Sequence, residues 1–385
     1  MRLFFPLAAC HAIAVVLLWA GLYTGLWPDL LGNGANPLGW HRHEMIFGFL
    51  AATLAGFVLT AVPNWTRTPP PGAVTLVGLG TIWLAARVMA AGLHLAGWRG
   101  TGAYVAAVVD PLFYLLLAVW AGRRILASGN RNLPVVAAIL VLALADAGDI
   151  FFRLLAHGLI RDDIGWRLGL AVMLLLIGLI GGRITPAFTR NWLAVQGDAR
   201  AGQVITPNRQ DMLILLATTL ALGLWVARPQ DVWTGWPLVF LGGLHLLRMS
   251  RWQGGAARGE PLLFVLHLGY AWYAAGFLLM GAALVLAPAE APQALHAWTV
   301  GAIGTMTLAV MTRAALGHSG QPLVADGWMV AMFALVAIAA LLRLSAGLAP
   351  GWTAGLIHMS ATAWALAYLL YLLRLGPVLW RGRRH

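Results

Sequence analysis

Long apolar runs alternate with short polar breaks along the whole chain, and that alternation predicts helices that cross a membrane. A crossing helix needs about 20 mostly apolar residues. Runs of that kind fall at 6–27, 41–62, 74–95, 102–121, 134–155, 164–183, 211–227, 232–249, 262–286, 292–316, 326–345 and 352–375. The breaks hold helix-stopping residues: Trp27-Pro28, Pro63-Asn64, Pro69-Pro70-Pro71-Gly72, Gly129-Asn130, Arg228-Pro229, Gly254-Gly255 and Pro288. The longest connection, 184–210, is too short for a soluble domain. The pattern predicts an all-α polytopic integral membrane protein of about twelve transmembrane helices, with residues 1–385 forming a single transmembrane domain. Met1, Arg2 and the apolar run after them imitate a secretory leader. The run lacks a small-residue cleavage site and continues through Trp19 to Trp27, so it reads as the first span.

Composition supports the lipid bilayer as the solvent. The chain is 61% hydrophobic and 10% charged, whereas soluble domains carry roughly 25% charged residues. Its 45 glycines and 19 tryptophans fit membrane helices and their boundaries. A net charge of +12 would suggest nucleic acid in a soluble protein. Here the basic residues are all arginines, spread over the loops rather than gathered in a stripe, so no nucleic-acid partner is expected. With the N-terminus inside, 17 arginines fall on the cytoplasmic side: Arg2, Arg67, Arg123, Arg124, Arg131, Arg183, Arg190, Arg200, Arg209, Arg248, Arg251, Arg258, Arg313, Arg374, Arg381, Arg383 and Arg384. Only 7 fall opposite: Arg42, Arg99, Arg153, Arg161, Arg167, Arg228 and Arg343. That bias predicts cytoplasmic termini and an even number of spans.

One cysteine, Cys10, excludes an internal disulfide and thioether-linked haem, so any haem is held without thioether links, and a non-covalent b-type haem is expected. A short repeat is also visible. Pro63-Asn64-Trp65-Thr66-Arg67 and Pro186-Ala187-Phe188-Thr189-Arg190 both read Pro-x-aromatic-Thr-Arg, and Met311-Thr312-Arg313 ends a third run. The three runs are four spans apart, which suggests three arcs of four helices.

Ionisable and metal-binding groups inside a membrane are costly, so each is a functional candidate. By depth, His41, His43, His94, His157, His296 and His358 sort toward the outer side, and His11, His245, His267 and His318 toward the cytoplasmic side. His41 and His43 are two apart, about 200° around a helix, so one of them is expected to point inward. Glu44 shares a face with His41 and is positioned to orient an imidazole through its second nitrogen. His296 matches the depth of His41 and His43, and this set is the candidate for binding haem. His318 follows His296 by 22 residues, roughly 33 Å along a helix, so it belongs to another site. His318, His267 and His11 are the candidate copper-binding set. Arg87 and Asp110 lie at matching depths and are expected to pair, and Asp146, Asp149 and Arg153 share a helical face. Asp110-Pro111 breaks a backbone hydrogen bond in mid-span. Glu44, Arg87, Asp110, Asp146 and Asp149 read either as groups that orient ligands and pass protons or as a packing network. No nucleophile elbow, Walker loop or dinucleotide-binding glycine pattern is present.

Several motifs resemble the NnrS family. They are Trp40-His41-Arg42-His43-Glu44-Met45-Ile46-Phe47-Gly48-Phe49 and Thr60-Ala61-Val62-Pro63-Asn64-Trp65-Thr66, then Gly182-Arg183-Ile184-Thr185-Pro186-Ala187-Phe188-Thr189-Arg190-Asn191 and His267-Leu268-Gly269-Tyr270-Ala271-Trp272. The longest runs from His296 through Gly301-Ala302-Ile303-Gly304-Thr305-Met306-Thr307 to Leu316-Gly317-His318-Ser319-Gly320. One departure is Arg67, where the resemblance leads us to expect glycine. The resemblance implies a bacterial inner-membrane protein containing haem and copper, linked to denitrification, nitric oxide and nitrosative stress. It implies importance for His41, His43, His267, His296 and His318 without assigning ligands. Our expectation is an outer haem site with His43 and His296, and a second site with His318, His267 and His11. Two alternatives stay open: a haem–copper redox enzyme resembling a nitric oxide reductase, and a secondary transporter using Arg87 and Asp110. An adjacent histidine pair and an HPxxY-like copper motif are both missing, which weighs against the first of these alternatives.

Overall fold

The computed structural model describes residues 1–32, 35–96, 101–155 and 163–381. His157, Arg99, Arg161, Arg383, Arg384 and His385 lie outside the described residues, as do the side chains of Arg153 and Arg381.

The described residues form twelve helical rods and no strands. They are α1 Phe4–Tyr23, α2 Pro37–Thr66, α3 Ala73–His94, α4 Thr101–Ala127, α5 Leu133–Leu155, α6 Ile164–Val195, α7 Arg209–Ala227, α8 Val232–Ser250, α9 Pro261–Leu286, α10 Pro288–His318, α11 Gly327–Leu348 and α12 Pro350–Trp380. Eleven helices among the described residues are long and apolar enough to cross a membrane. The exception is α8, as long as α7 but carrying His245 and Arg248 in its C-terminal half. Backbone groups in lipid must bond internally, and a helix does this without a partner. The outward faces are apolar: Met212, Leu213, Leu216 and Leu220 of α7 are all exposed. The chain is an all-α polytopic membrane protein.

Contacts divide the chain into two compact units, Met1–Val172 and Met173–His385. In the first, α1 packs on α2, α2 on α4, α3 on α4 and α4 on α5. In the second, α7 packs on α8, α8 on α9, α9 on α10 and α11 on α12. Small residues permit the closest of these approaches. At the α8–α9 crossing, a Cβ on Gly235 would lie 2.7 Å from the Gly281 carbonyl oxygen, and one on Gly281 2.6 Å from that of Gly235.

The start and end of α2 follow from local chemistry. Asn36 caps it by accepting from the Gly39 N–H at 2.8 Å, and Pro37 supplies the fixed φ of a first helical residue. Arg67 ends it at φ +54° in the left-handed region. Glycine takes that conformation without steric cost, which is the physical reason to expect glycine there.

Among the described residues three helices carry a π-helical turn: Glu44–Phe49 in α2, Ile177–Gly181 in α6 and Ala297–Gly304 in α10. They are the same three runs that share the Thr-Arg ending. A π turn frees a carbonyl from the regular ladder and often marks a functional site. Each turn is tied to a neighbouring helix through such a carbonyl. Trp83 Nε1 donates to Gly48 O at 3.0 Å, Arg248 Nη1 to Gly178 O at 3.0 Å, and the Tyr368 hydroxyl to Gly304 O at 3.4 Å.

Candidate functional site

The densest buried chemistry of the first unit surrounds His43, the last residue before the π turn of α2. Its imidazole is fully buried. Nε2 lies 2.8 Å from Asp110 Oδ2 and 3.9 Å from Asp146 Oδ1, and Nδ1 lies 3.1 Å from Asp149 Oδ2. Three helices thus bring their groups to one residue: α2 the imidazole, α4 Asp110, and α5 both Asp146 and Asp149. The spacing of the two aspartates sets one above the other on a single face of α5.

Arg87 of α3 ties this group to Glu44. It donates to Asp110 Oδ1, and to Glu44 Oε2 at 3.1 Å. The pair expected from matching depth therefore forms. Glu44 and Asp110 contact this guanidinium, Asp146 and Asp149 lie against His43, and all four carboxylates are buried. Neither oxygen of Asp146 has a hydrogen-bond partner among the described residues, and the Tyr114 hydroxyl likewise has none. A buried carboxylate without a donor is costly unless a cation compensates it. Two triplets, His43–His94–Asp149 and His43–Asp110–Asp146, have donor atoms within 4.8 Å of one another and could hold a metal ion.

His11 joins this cluster. Its Nε2 lies 2.7 Å from Glu44 Oε2, and its ring meets Trp83 edge-on. Depth sorting grouped His11 with His267 and His318; within the first unit its partner is the carboxylate at the start of the π turn. Gly48 leaves room for this meeting. A Cβ there would lie 2.5 Å from His11 Nε2, 2.7 Å from Glu44 Oε2 and 2.9 Å from Arg87 Nη1. His41, across the helix from His43, is half-buried and stacks on Trp19 with ring centroids 4.6 Å apart.

In the second unit His267 is buried. The Thr189 hydroxyl donates to Thr185 O at 2.8 Å, so its oxygen accepts from His267 Nε2–H at 2.9 Å. Nδ1 then carries the lone pair, and it has no hydrogen-bond partner among the described residues. A Cβ on Gly254 would lie 2.7 Å from that nitrogen, so glycine keeps the space open. His296 sits near the start of α10, half-buried, and its Nδ1–H donates to Pro292 O at 2.8 Å. That bond leaves the lone pair on Nε2. His318 is the last residue of α10, half-buried.

Sequence reading passed over two features. The first is His94, sorted by depth but given no role. It is buried, with its ring centroid 5.2 Å from that of His43. The second is a polar chain in the second unit. Asp211 accepts from Arg248 Nε at 2.6 Å and Arg251 Nη2 at 2.7 Å. Arg248 Nη1 donates to the Tyr270 hydroxyl oxygen at 2.8 Å, and that hydroxyl lies 3.0 Å from His245 Nδ1. Thr218 gives its proton to Ile214 O, so His245 Nε2–H donates to Thr218 Oγ1 at 3.1 Å. Both nitrogens of His245 are therefore used within the fold. The i, i+3 spacing of His245 and Arg248 was the available signal for this chain.

A family model described as NnrS protein matches residues 1–383. No curated protein matches the chain. The match spans both units and includes every motif quoted above, and so the chain belongs to the NnrS family, a bacterial membrane family linked to nitric oxide.

Proposed function

We propose that this protein holds b-type haem and copper in the bacterial inner membrane and protects the cell from nitrosative stress during nitric oxide metabolism, by binding nitric oxide or by guarding iron centres. The observation that carries this reading is the family match over 1–383, joined to imidazoles whose second nitrogens suit a metal. Bound haem iron or copper supplies a centre to which nitric oxide can attach.

The residues of the second unit fit such groups. His296 Nδ1–H is anchored on the Pro292 carbonyl, the arrangement that fixes a metal-ligating histidine's tautomer and orientation. We assign haem to His296. His267 Nδ1 is a buried lone pair with space kept beside it by Gly254, and we assign it to copper, with His318 as the further candidate. His43 fits an axial haem role poorly, because carboxylate oxygens stand at 2.8 Å and 3.1 Å from its two nitrogens. The arginine asymmetry supports termini on the cytoplasmic side.

Haem content is the test. Purified His296→Ala is expected to lose about 90% of the wild-type haem and to fail to restore growth under a nitric oxide donor. Full haem content in that variant, with normal protection, would overturn the assignment. A second reading, proton or cation transfer through the first unit, is favoured by the four buried carboxylates that contact Arg87 or His43. It predicts transport that needs Arg87 and Asp110 and survives loss of His267 and His296.

A further inference from the structure

Two imidazoles and a carboxylate converge in the first unit at a point the nitric oxide reading leaves unused. His43, His94 and Asp149 are each 1% exposed or less. One donor atom from each lies within 4.8 Å of the others, and His43 Nδ1 is 3.1 Å from Asp149 Oδ2. Metal bonds of about 2.0–2.2 Å set neighbouring ligand atoms about 3 Å apart. The His43–Asp149 separation of 3.1 Å has that spacing, and the His94 donor lies within 4.8 Å of both.

The other nitrogen of His43 gives an independent sign. Nε2 lies 2.8 Å from Asp110 Oδ2, while Arg87 donates to Asp110 Oδ1. A carboxylate held by a guanidinium thus accepts the Nε2–H. A metal-bound histidine places its remaining N–H on a carboxylate in this way, which fixes the tautomer. With an ion bound, Nδ1 offers its lone pair, and the ion takes the place of the proton that the 3.1 Å contact with Asp149 Oδ2 otherwise requires. Asp146 stands beside the group, fully buried, with no hydrogen-bond partner among the described residues for either oxygen. Four buried carboxylates share one guanidinium and the imidazoles of His11 and His43, a set whose negative charge a divalent cation would offset.

We propose that the first unit holds one non-haem ferrous ion, ligated by His43 Nδ1, His94 and Asp149, with Asp110 orienting His43 and Asp146 beside the ion. Two histidines and one carboxylate are the donor set of non-haem ferrous centres with open positions. Thiolate and thioether ligands, which select cuprous copper, are not part of this group. The centre uses none of the residues assigned to haem and copper, and it does not rest on that assignment.

The experiment measures iron in the full-length purified protein, incubated anaerobically with ferrous iron and desalted. Total iron is taken from mass spectrometry and haem iron from the pyridine haemochrome. Wild type is expected to hold about one non-haem iron per chain, and His94→Ala and Asp149→Asn about tenfold less, with the Soret band and helical circular dichroism unchanged. His41→Ala is expected to keep the iron. With nitric oxide, wild type should give the high-spin ferrous-nitrosyl resonance, and the two variants should lose it. Asp149→Asn is nearly isosteric, so it carries the test if His94→Ala does not fold. Equal non-haem iron in wild type and the folded variants overturns the proposal. So does wild type that takes up none, or that holds copper there instead. Loss of haem with this iron retained would strike the haem assignment and leave this one standing.

Discussion

Replacing Arg87 with methionine is expected to destabilise the protein by about 3–5 kcal/mol, the cost of removing one partner from a buried ion pair. Arg87 is the guanidinium between Glu44 and Asp110. Without it both carboxylates stay buried in a cluster that already holds Asp146 and Asp149. The methionine fills much of the volume, so the loss is electrostatic rather than a cavity. Arg87→Lys should recover only part, because an ammonium does not reproduce the two-pronged contact. The double variant Arg87→Met with Asp110→Asn should be more stable than Arg87→Met alone, since it removes one unpaired charge. Denaturant unfolding of the purified protein in detergent is the measurement. A single variant within about 1 kcal/mol of wild type would mean that Arg87 carries no net ion-pair role.

Gly165→Ala should both destabilise the protein and loosen the site. A Cβ at Gly165 would lie 2.4 Å from the Asp149 backbone nitrogen, 2.5 Å from its Cα and 2.7 Å from Ala145 O. These are backbone atoms of α5 and cannot rotate aside, so α5 and α6 must separate locally and carry Asp149 away from His43. Overpacking of this kind costs about 1–3 kcal/mol. Gly223 of α7 provides the contrast, because a Cβ there meets nothing within 4 Å. Gly223→Ala should be neutral or stabilising by up to about 1 kcal/mol. Thermal melts of the two variants, with iron retention for Gly165→Ala, check both halves. Equal melting of Gly165→Ala and wild type, with iron kept, would refute the role of this crossing.

Hydropathy carried the architecture, because a span must satisfy its backbone internally and eleven of the described helices are long and apolar enough to do so. The run at 232–249 forms the helix α8, whose polar residues fall on one buried side: His245 and Arg248 are buried while Leu247 is exposed. Depth matching recovered Arg87 with Asp110, since the cost of burying either alone leaves few arrangements. The helical angle between His41 and His43 separated a ring stacked on Trp19 from one fully enclosed. Linear reasoning failed where the helix is irregular. Glu44 opens the π turn of α2, and its partners, His11 and Arg87, come from two other helices. Such a turn leaves little trace in composition. His94 was passed over because its neighbours in sequence at the end of α3 are apolar. Its proximity to His43 is a property of helix packing that no local spacing encodes.

If this membrane protein holds metal centres that meet nitric oxide, its absorption spectrum must respond to the gas. Optical titration of the purified, reduced wild-type protein with nitric oxide is therefore the decisive measurement. The expected result is a haem Soret band that shifts as nitric oxide is added. A spectrum with no Soret band, or one that nitric oxide leaves unchanged, would contradict the proposed function.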